Sequence, residues 1–366
     1  MRSATNSIKH YDDFNLGEQL YHDDQERHQI KPNREDMLED TKCLTYTESF
    51  QRGIISETDL QTLEIPDMKV IMAPWLKAGN IVMINGSRGI GKTFFCMSLA
   101  LAITRNISIG PWGTENPVGV LYIDGEMPVS LIKDNHNKLT RHLPALCAPL
   151  DIISADWMQK KGLFTPNLAS ENCRDDIYRL LKDGAYEVVV LDNIASLTPG
   201  IDENSKQEWD PINQWLLSIR FLDIAVILIH HTGKSGDQRG TSGREDNIDI
   251  SIKLSHPPQY TPADGAKFNV DFTKSRGVYG ENVKGFTFQI SEKDEGLTWT
   301  TEDAGNSLRN SIIRMLGEGT QQKDIHGIVK CTKGYVSRVR KKAIEDGYLT
   351  ENNNFTELGR EEFADA

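Results

Sequence analysis

Apolar positions along the chain fall into two alternating patterns. Short β-branched runs, Ile81-Val82-Met83-Ile84, Val118-Gly119-Val120-Leu121-Tyr122-Ile123, Val188-Val189-Val190-Leu191 and Ile224-Ala225-Val226-Ile227-Leu228-Ile229, each lead into polar residues. Between them lie longer stretches with apolar residues on successive helical turns, as at Phe94–Leu101, Leu131–Leu143 and Cys173–Lys182, with a further short strand at Leu150–Ser154. Continuous apolar strands are buried on both faces, which happens when helices cross over both sides of a parallel sheet. The pattern therefore predicts an α/β fold with a mostly parallel sheet, whose ligand-binding residues stand at the carboxyl ends of the strands. After Asp249 the pattern changes. Asp249–Leu254, Lys267–Thr273, Lys284–Ile290 and Leu297–Thr301 read as strands with little helix between them, predicting antiparallel additions to one edge.

The two ends of the chain follow other patterns. Residues 1–65 are polar and acid-rich, with Asp12-Asp13, Asp23-Asp24 and Glu35-Asp36, and burial there cannot offset the entropy of ordering. They are expected to form a mobile arm, with Leu38, Leu44 and Phe50 as anchors should it dock on a neighbour. Asp294–Asn306 is acidic and Gly-bearing and reads as a linker. Beyond it, Leu308, Ile312, Ile313 and Leu316 predict one helix, Ile325, Ile328 and Val329 a second, and Tyr335, Val336, Val339, Ala343 and Ile344 a third. A hairpin turning at Glu351–Asn354 completes the plan of a winged helix. The expected domains are an arm at 1–65, an α/β domain at 66–301 and a winged helix at 302–366.

Composition narrows the partners. No apolar run spans a bilayer, and the N-terminus shows no apolar signal core, so a cytoplasmic protein without membrane contact is expected. Five scattered cysteines with no C-x-x-C pair argue against a disulfide or zinc framework. A formal charge of −12 confines any nucleic-acid contact to local basic patches. The densest is Lys330, Lys333, Arg338, Arg340, Lys341 and Lys342, in and around the third C-terminal helix, which a winged helix places in the major groove. The bland alternative is a solvated helix face.

The strongest chemical signal is Gly86-Ser87-Arg88-Gly89-Ile90-Gly91-Lys92-Thr93, lying between a strand and a helix that opens at Phe94. Glycines that take positive φ let consecutive N–H groups curl around phosphate oxygens, and the helix N-terminus adds partial positive charge. This octet with Phe94 is read as the nucleotide-binding segment, Lys92 meeting the β- and γ-phosphates and Thr93 ligating Mg²⁺. Asp192, closing a later strand, is the expected second metal group. Glu126, just past the strand ending at Asp124, is the candidate to polarise an attacking water, with Asp124 as a competitor. His231 closes another strand as a γ-phosphate sensor, with His230 as its rival. The Gly-rich loop Ser235–Arg244 and, less strongly, Thr198–Asn204 are candidate DNA contacts. Lys274 and Arg276, two residues apart at a strand end, suit a cationic fork acting on a neighbour's γ-phosphate.

Taken together, the octet, Asp124-Gly125-Glu126-Met127, Leu191-Asp192-Asn193, Ile229-His230-His231-Thr232-Gly233-Lys234 and Lys274-Ser275-Arg276-Gly277 resemble the RecA-like P-loop ATPases, in particular the RepA-type hexameric replicative helicases. The resemblance covers about Val70 to Thr301. It implies ATP and Mg²⁺ as cofactors, Glu126 as catalytic carboxylate, Asp192 as the Walker B acid, His231 as sensor, and Lys274 with Arg276 as the paired finger. It also implies a homo-oligomeric ring, usually of six, threading single-stranded DNA. The competing expectation is an ATP-controlled DNA-binding regulator or partition accessory ATPase that does not unwind DNA; a third is a signalling scaffold that ignores DNA. The acids Asp237, Glu245 and Asp246 in and beside the Gly-rich loop run against strand translocation.

Overall fold

The computed structural model describes residues 45–202, 205–231, 246–258, 260–329 and 331–363, with backbone alone at 304–307. Two compact units divide at Asp67/Met68. In the first, residues 45–65 are not featureless: α1 (Tyr46–Gly53) starts at a Thr45–Glu48 capping box, and Ser56 caps α2 (Glu57–Thr62). Neither helix has a buried residue. Leu38 and Leu44 lie outside the described residues, and Phe50 is exposed on α1.

The second unit opens with a two-stranded ribbon, β1 (Val70–Met72) and β2 (Leu76–Lys77). The chain then alternates: β3 (Ile81–Gly86), α3 (Lys92–Arg105), β4 (Gly119–Asp124), α4 (Val129–Thr140), β5 (Leu150–Ser154), α5 (Ala155–Lys160), α6 (Glu171–Asp183), β6 (Tyr186–Asp192), α7 (Ile194–Leu197), α8 (Lys206–Arg220) and β7 (Ala225–His231). There follow β8 (Ile250–Ser255), β9 (Lys267–Ser275), β10 (Phe286–Lys293) and β11 (Gly296–Asp303). All strands from β3 onward form one sheet of order β11-β10-β9-β8-β3-β7-β6-β4-β5. From β8 to β5 neighbours run parallel, and β9, β10 and β11 add antiparallel pairs at one edge. This is the α/β class, with the mostly parallel sheet and antiparallel edge, that the hydrophobic pattern predicts.

Strand alternation divides the core into two layers. Val82, Ile84, Val120, Tyr122, Val190 and Ile227 pack with α3 on one face, while Ile81, Met83, Leu121, Leu191 and Leu228 pack with α6 and α8 on the other. The α3 helix lies within its layer, apolar nearly all round and buried along its length. The α8 helix is a departure from the sequence reading, which left this stretch unassigned. Pro211 lies inside it and removes a helical donor, yet Trp209, Ile212, Trp215, Leu216 and Ile219 are buried and override that local cost.

The expected linker at Asp294–Asn306 is corrected, whereas the strand expected within it at Leu297–Thr301 is present. Asp294 and Glu295 form the β10–β11 turn, β11 runs to Asp303, and α9 (Ala304–Gly317) follows directly. Cross-strand pairing and burial beside β10 hold residues that their polarity alone marks as loop. Next come α10 (Gln322–Ile328), α11 (Lys333–Glu345), a bridge between Leu349 and Phe355, and α12 (Glu357–Phe363), a helix absent from the sequence reading. These elements share a separate apolar core of Ile312, Ile313, Leu316, Ile325, Val336, Val339 and Phe363.

Candidate active site

β3 is the central strand of the nine-stranded sheet, between β8 and β7, so the loop leaving its carboxyl end opens between two parallel neighbours. In that loop Gly89 and Gly91 take φ of +78° and +108°, as expected, and Gly91 caps α3. Gly86 does not. Its backbone is ordinary, and a Cβ there would stand 3.0 Å from the Leu254 carbonyl, so close approach of β8 requires the glycine. Ser87, Arg88 and Gly89 are exposed at the mouth, Ile90 is buried, and Phe94 packs against the core beneath.

The Lys92 ammonium turns back into the loop, donating to the carbonyls of Gly86 and Ser87 at 2.8 Å each. Only 4 % of the residue is exposed, and burial lowers its pKa to about 8. The loop already forms a closed cradle with its cation inside.

Asp192 ends β6 in register with Asp124 at the end of β4. The Tyr122 hydroxyl donates to Asp192 Oδ2 at 2.6 Å. Burial pushes the Asp192 carboxyl up, and hydrogen bonds from Tyr122 and Thr93 pull against that rise. Thr93 and Asp192 are thus in contact, a hydroxyl and a carboxylate of the hard-oxygen type that Mg²⁺ takes. The donor set fits the ion.

The two acids after β4 separate by function of position. Asp124 Oδ1 accepts from the backbone of Glu126 at 3.0 Å and of Met127 at 2.6 Å, and is spent on shaping the turn. Burial raises its pKa to about 6. Glu126 is on that turn with its side chain 61 % exposed. The Asn193 side-chain amide donates to Glu126 Oε2, and His231 Nε2 stands 3.8 Å from the same oxygen. Asn193 Oδ1 accepts from Ser196 N at 3.0 Å, capping α7, which fixes which end of the amide meets Glu126. Burial, then the nearby Lys92, lowers the His231 pKa, so the ring is neutral at physiological pH.

The structure therefore brings Lys92, Thr93, Glu126, Asp192 and His231 to one edge. Tyr122 and Asn193 join them without having been given roles from sequence. Their signals were present, a hydroxyl within an apolar strand and an amide after the strand-closing acid, but their partners come from neighbouring strands.

Lys274 and Arg276 are elsewhere. β9 runs antiparallel to β8, pairing Lys274 with Ser251 and Ser275 with Ile250. Ile250 is level with Val82 near the start of β3. Arg276 lies one residue further on, roughly 17 Å along the strand from Gly86, at the opposite edge from its own phosphate cradle. Ser235–Arg244 lies outside the described residues, as do Asn204 of the second candidate loop and Lys330 of the basic patch.

A family model described as an AAA domain matches residues 47–237, just over half of the chain. The DNA repair protein RadA of Campylobacter jejuni is 21 % identical over 280 residues, 74 % of this chain, which spans 55 % of that protein's length. Among solved structures, a KaiC-like protein of Pyrococcus horikoshii OT3 is 16 % identical with a TM-score of 0.43, covering 63 % of this chain and 93 % of that one. The flagellar accessory protein FlaH of Methanocaldococcus jannaschii is 16 % identical with a TM-score of 0.40, covering 61 % and 90 %.

Proposed function

The chain belongs to the AAA domain family, and from that premise we propose an ATP-hydrolysing, ring-forming DNA helicase or translocase serving replication of a plasmid, phage or other mobile element. One observation carries the reading: hydrolytic groups collect at one edge of the sheet while the cationic pair Lys274 and Arg276 stands at the opposite edge. A head-to-tail ring sets those edges against each other, so each subunit supplies the finger its neighbour lacks.

Within one cradle the roles follow from geometry. The N–H groups from Gly86 to Phe94 wrap the phosphates, and Lys92 turns from the Gly86 and Ser87 carbonyls to the β- and γ-oxygens. Thr93 and Asp192 would hold Mg²⁺, which would supply charge neutralisation for the phosphates. Glu126, oriented by Asn193, takes the proton of the attacking water. His231, beside Glu126 at the end of β7, senses the γ-phosphate and passes its loss to the residues that follow.

The helices following β11 are read as a winged helix, with α11 presenting Lys333, Arg338 and Lys341 to duplex DNA. The DNA-repair name of the RadA relative supports a DNA partner. Unwinding of a forked duplex tests the whole: wild type should separate the strands and Lys92→Ala should not, whereas strand separation without Lys92 refutes the motor. If only duplex accelerates ATP turnover and single strands do not, the regulator reading replaces it.

A further inference from the structure

Arg276 does not dangle at its edge of the sheet. Its backbone N–H donates to the Asp249 carbonyl at 2.9 Å, its Nη2 donates to the Asp246 carbonyl at 2.8 Å, and its Nη1 stands 3.6 Å from Asp249 Oδ1. Asp249 Oδ2, in turn, accepts from Ile81 N at 2.9 Å and pairs with Arg220 Nη2. Arg220 is itself tied to the carbonyls of Gly79 and Asn247. One carboxylate, 14 % exposed, thus lies between two guanidinium groups at the start of β3 and β8.

The charges and exposures differ across the cluster. The Arg220 side chain is 26 % exposed and fully engaged from behind, whereas that of Arg276 is 53 % exposed. A guanidinium carries five N–H donors in a fixed fork, so Arg276 can be held through one side while the other faces outward. Arg220 neutralises Asp249, which leaves the positive charge of Arg276 uncancelled. Because Arg220 and the Ile81 amide already engage Asp249, Arg276 keeps charge and donors to offer another anion while still held.

We propose that Asp249 is a positioning residue for Arg276, holding the guanidinium from behind so that its outer edge meets the γ-phosphate bound by the adjoining subunit. The inference rests on the reading of Arg276 as a finger acting in trans and adds the group that aims it. It also links the finger to Asp246–Asp249, the segment that leads into β8 from the chain following His231.

ATP turnover of the full chain tests this through a double-mutant cycle. Asp249→Asn keeps an oxygen for Ile81 N and removes the charge; kcat should fall roughly tenfold to a hundredfold with KM for ATP unchanged. In an Arg276→Ala background the same substitution should cost nothing further. An unchanged kcat, or the same loss in both backgrounds, makes Asp249 merely structural and overturns the proposal. Should Asp249→Asn fail to fold, Asp249→Glu decides: it keeps the charge but moves the carboxylate by one methylene, so kcat should fall in the wild-type background and not further in Arg276→Ala, and wild-type turnover overturns the proposal. If Arg276→Ala alone leaves turnover intact, the finger itself falls, a failure visible before Asp249 is touched.

Discussion

Lys92 is a cation buried in a cradle of carbonyls, with a pKa lowered to about 8 by that burial. Replacing it with Met should leave the ligand-free protein as stable as wild type or more so, because a desolvated charge is removed. Adding ATP and Mg²⁺ at a hundredfold excess over wild-type Kd stabilises wild type by about 2.7 kcal/mol through linkage and should not shift the variant, as read by thermal melting. Asp124 gives a pH signature. Its folded pKa, raised from 3.8 to about 6, means the folded chain holds that proton more tightly than the unfolded one. Its contribution to stability is complete below about pH 4, is lost as pH rises through 6, and is level above. Asp124→Asn retains the oxygen that accepts from Glu126 and Met127, so denaturant titrations should show roughly 2–3 kcal/mol less decline between those pH values. At this scale the sequence marks residues whose type is the message, such as Lys92, Thr93 and Glu126. It hides Asn193 and Tyr122, whose value lies in register with strands far along the chain.

Among the elements, α11 shows how a charge run divides once folded. Lys342 pairs with Asp346 at 2.8 Å, and Arg340 reaches Asn353 and the Glu351 carbonyl in the hairpin. Arg338 lies over the Tyr335 ring at 5.8 Å, Lys341 stands 4.0 Å from Glu345, and Lys333, Arg338, Lys341 and Lys342 are all exposed. Arg338→Ala and Lys341→Ala should each weaken duplex binding across all sequences and lower the salt-dependence slope by about one. Arg340→Ala should instead cost about 1 kcal/mol of stability by freeing the hairpin. Equal salt slopes for all three variants contradict this division. The helix was legible from Val336, Val339 and Ala343, three apolar residues at helical spacing; the separate fates of its cations were not. Conversely, α8 escaped notice because Pro211 speaks locally against a helix that Trp209 and Trp215 make by burial.

For the whole molecule, the proposed action of Lys274 and Arg276 on a neighbour's cradle predicts nucleotide-dependent assembly. Light scattering should give a multiple of the 41.2 kDa chain with a non-hydrolysable ATP analogue, near six chains, and Arg276→Ala should shift it toward smaller species. A single-chain mass under both conditions refutes completion in trans. The parallel sheet was readable from continuous apolar runs, since strands covered on both faces leave no polar alternation. Its antiparallel edge was readable less sharply, because Asp294–Asn306 is mostly polar, and Gly296–Asp303 holds its place through pairing with β10 and the partial burial of Leu297 and Trp299.

The direct passage from Asp303 into α9, reinforced by Asn310 donating to Glu302 at 2.6 Å, makes the C-terminal helices a bracket bolted to the sheet instead of a bead on a string. In the proposed motor, whatever that bracket grips would follow the sheet of its own subunit. If the proposed motor is right, lengthening the joint with a few glycines would turn a rigid crank into a slack tether, sparing ATP turnover while uncoupling it from movement of the load.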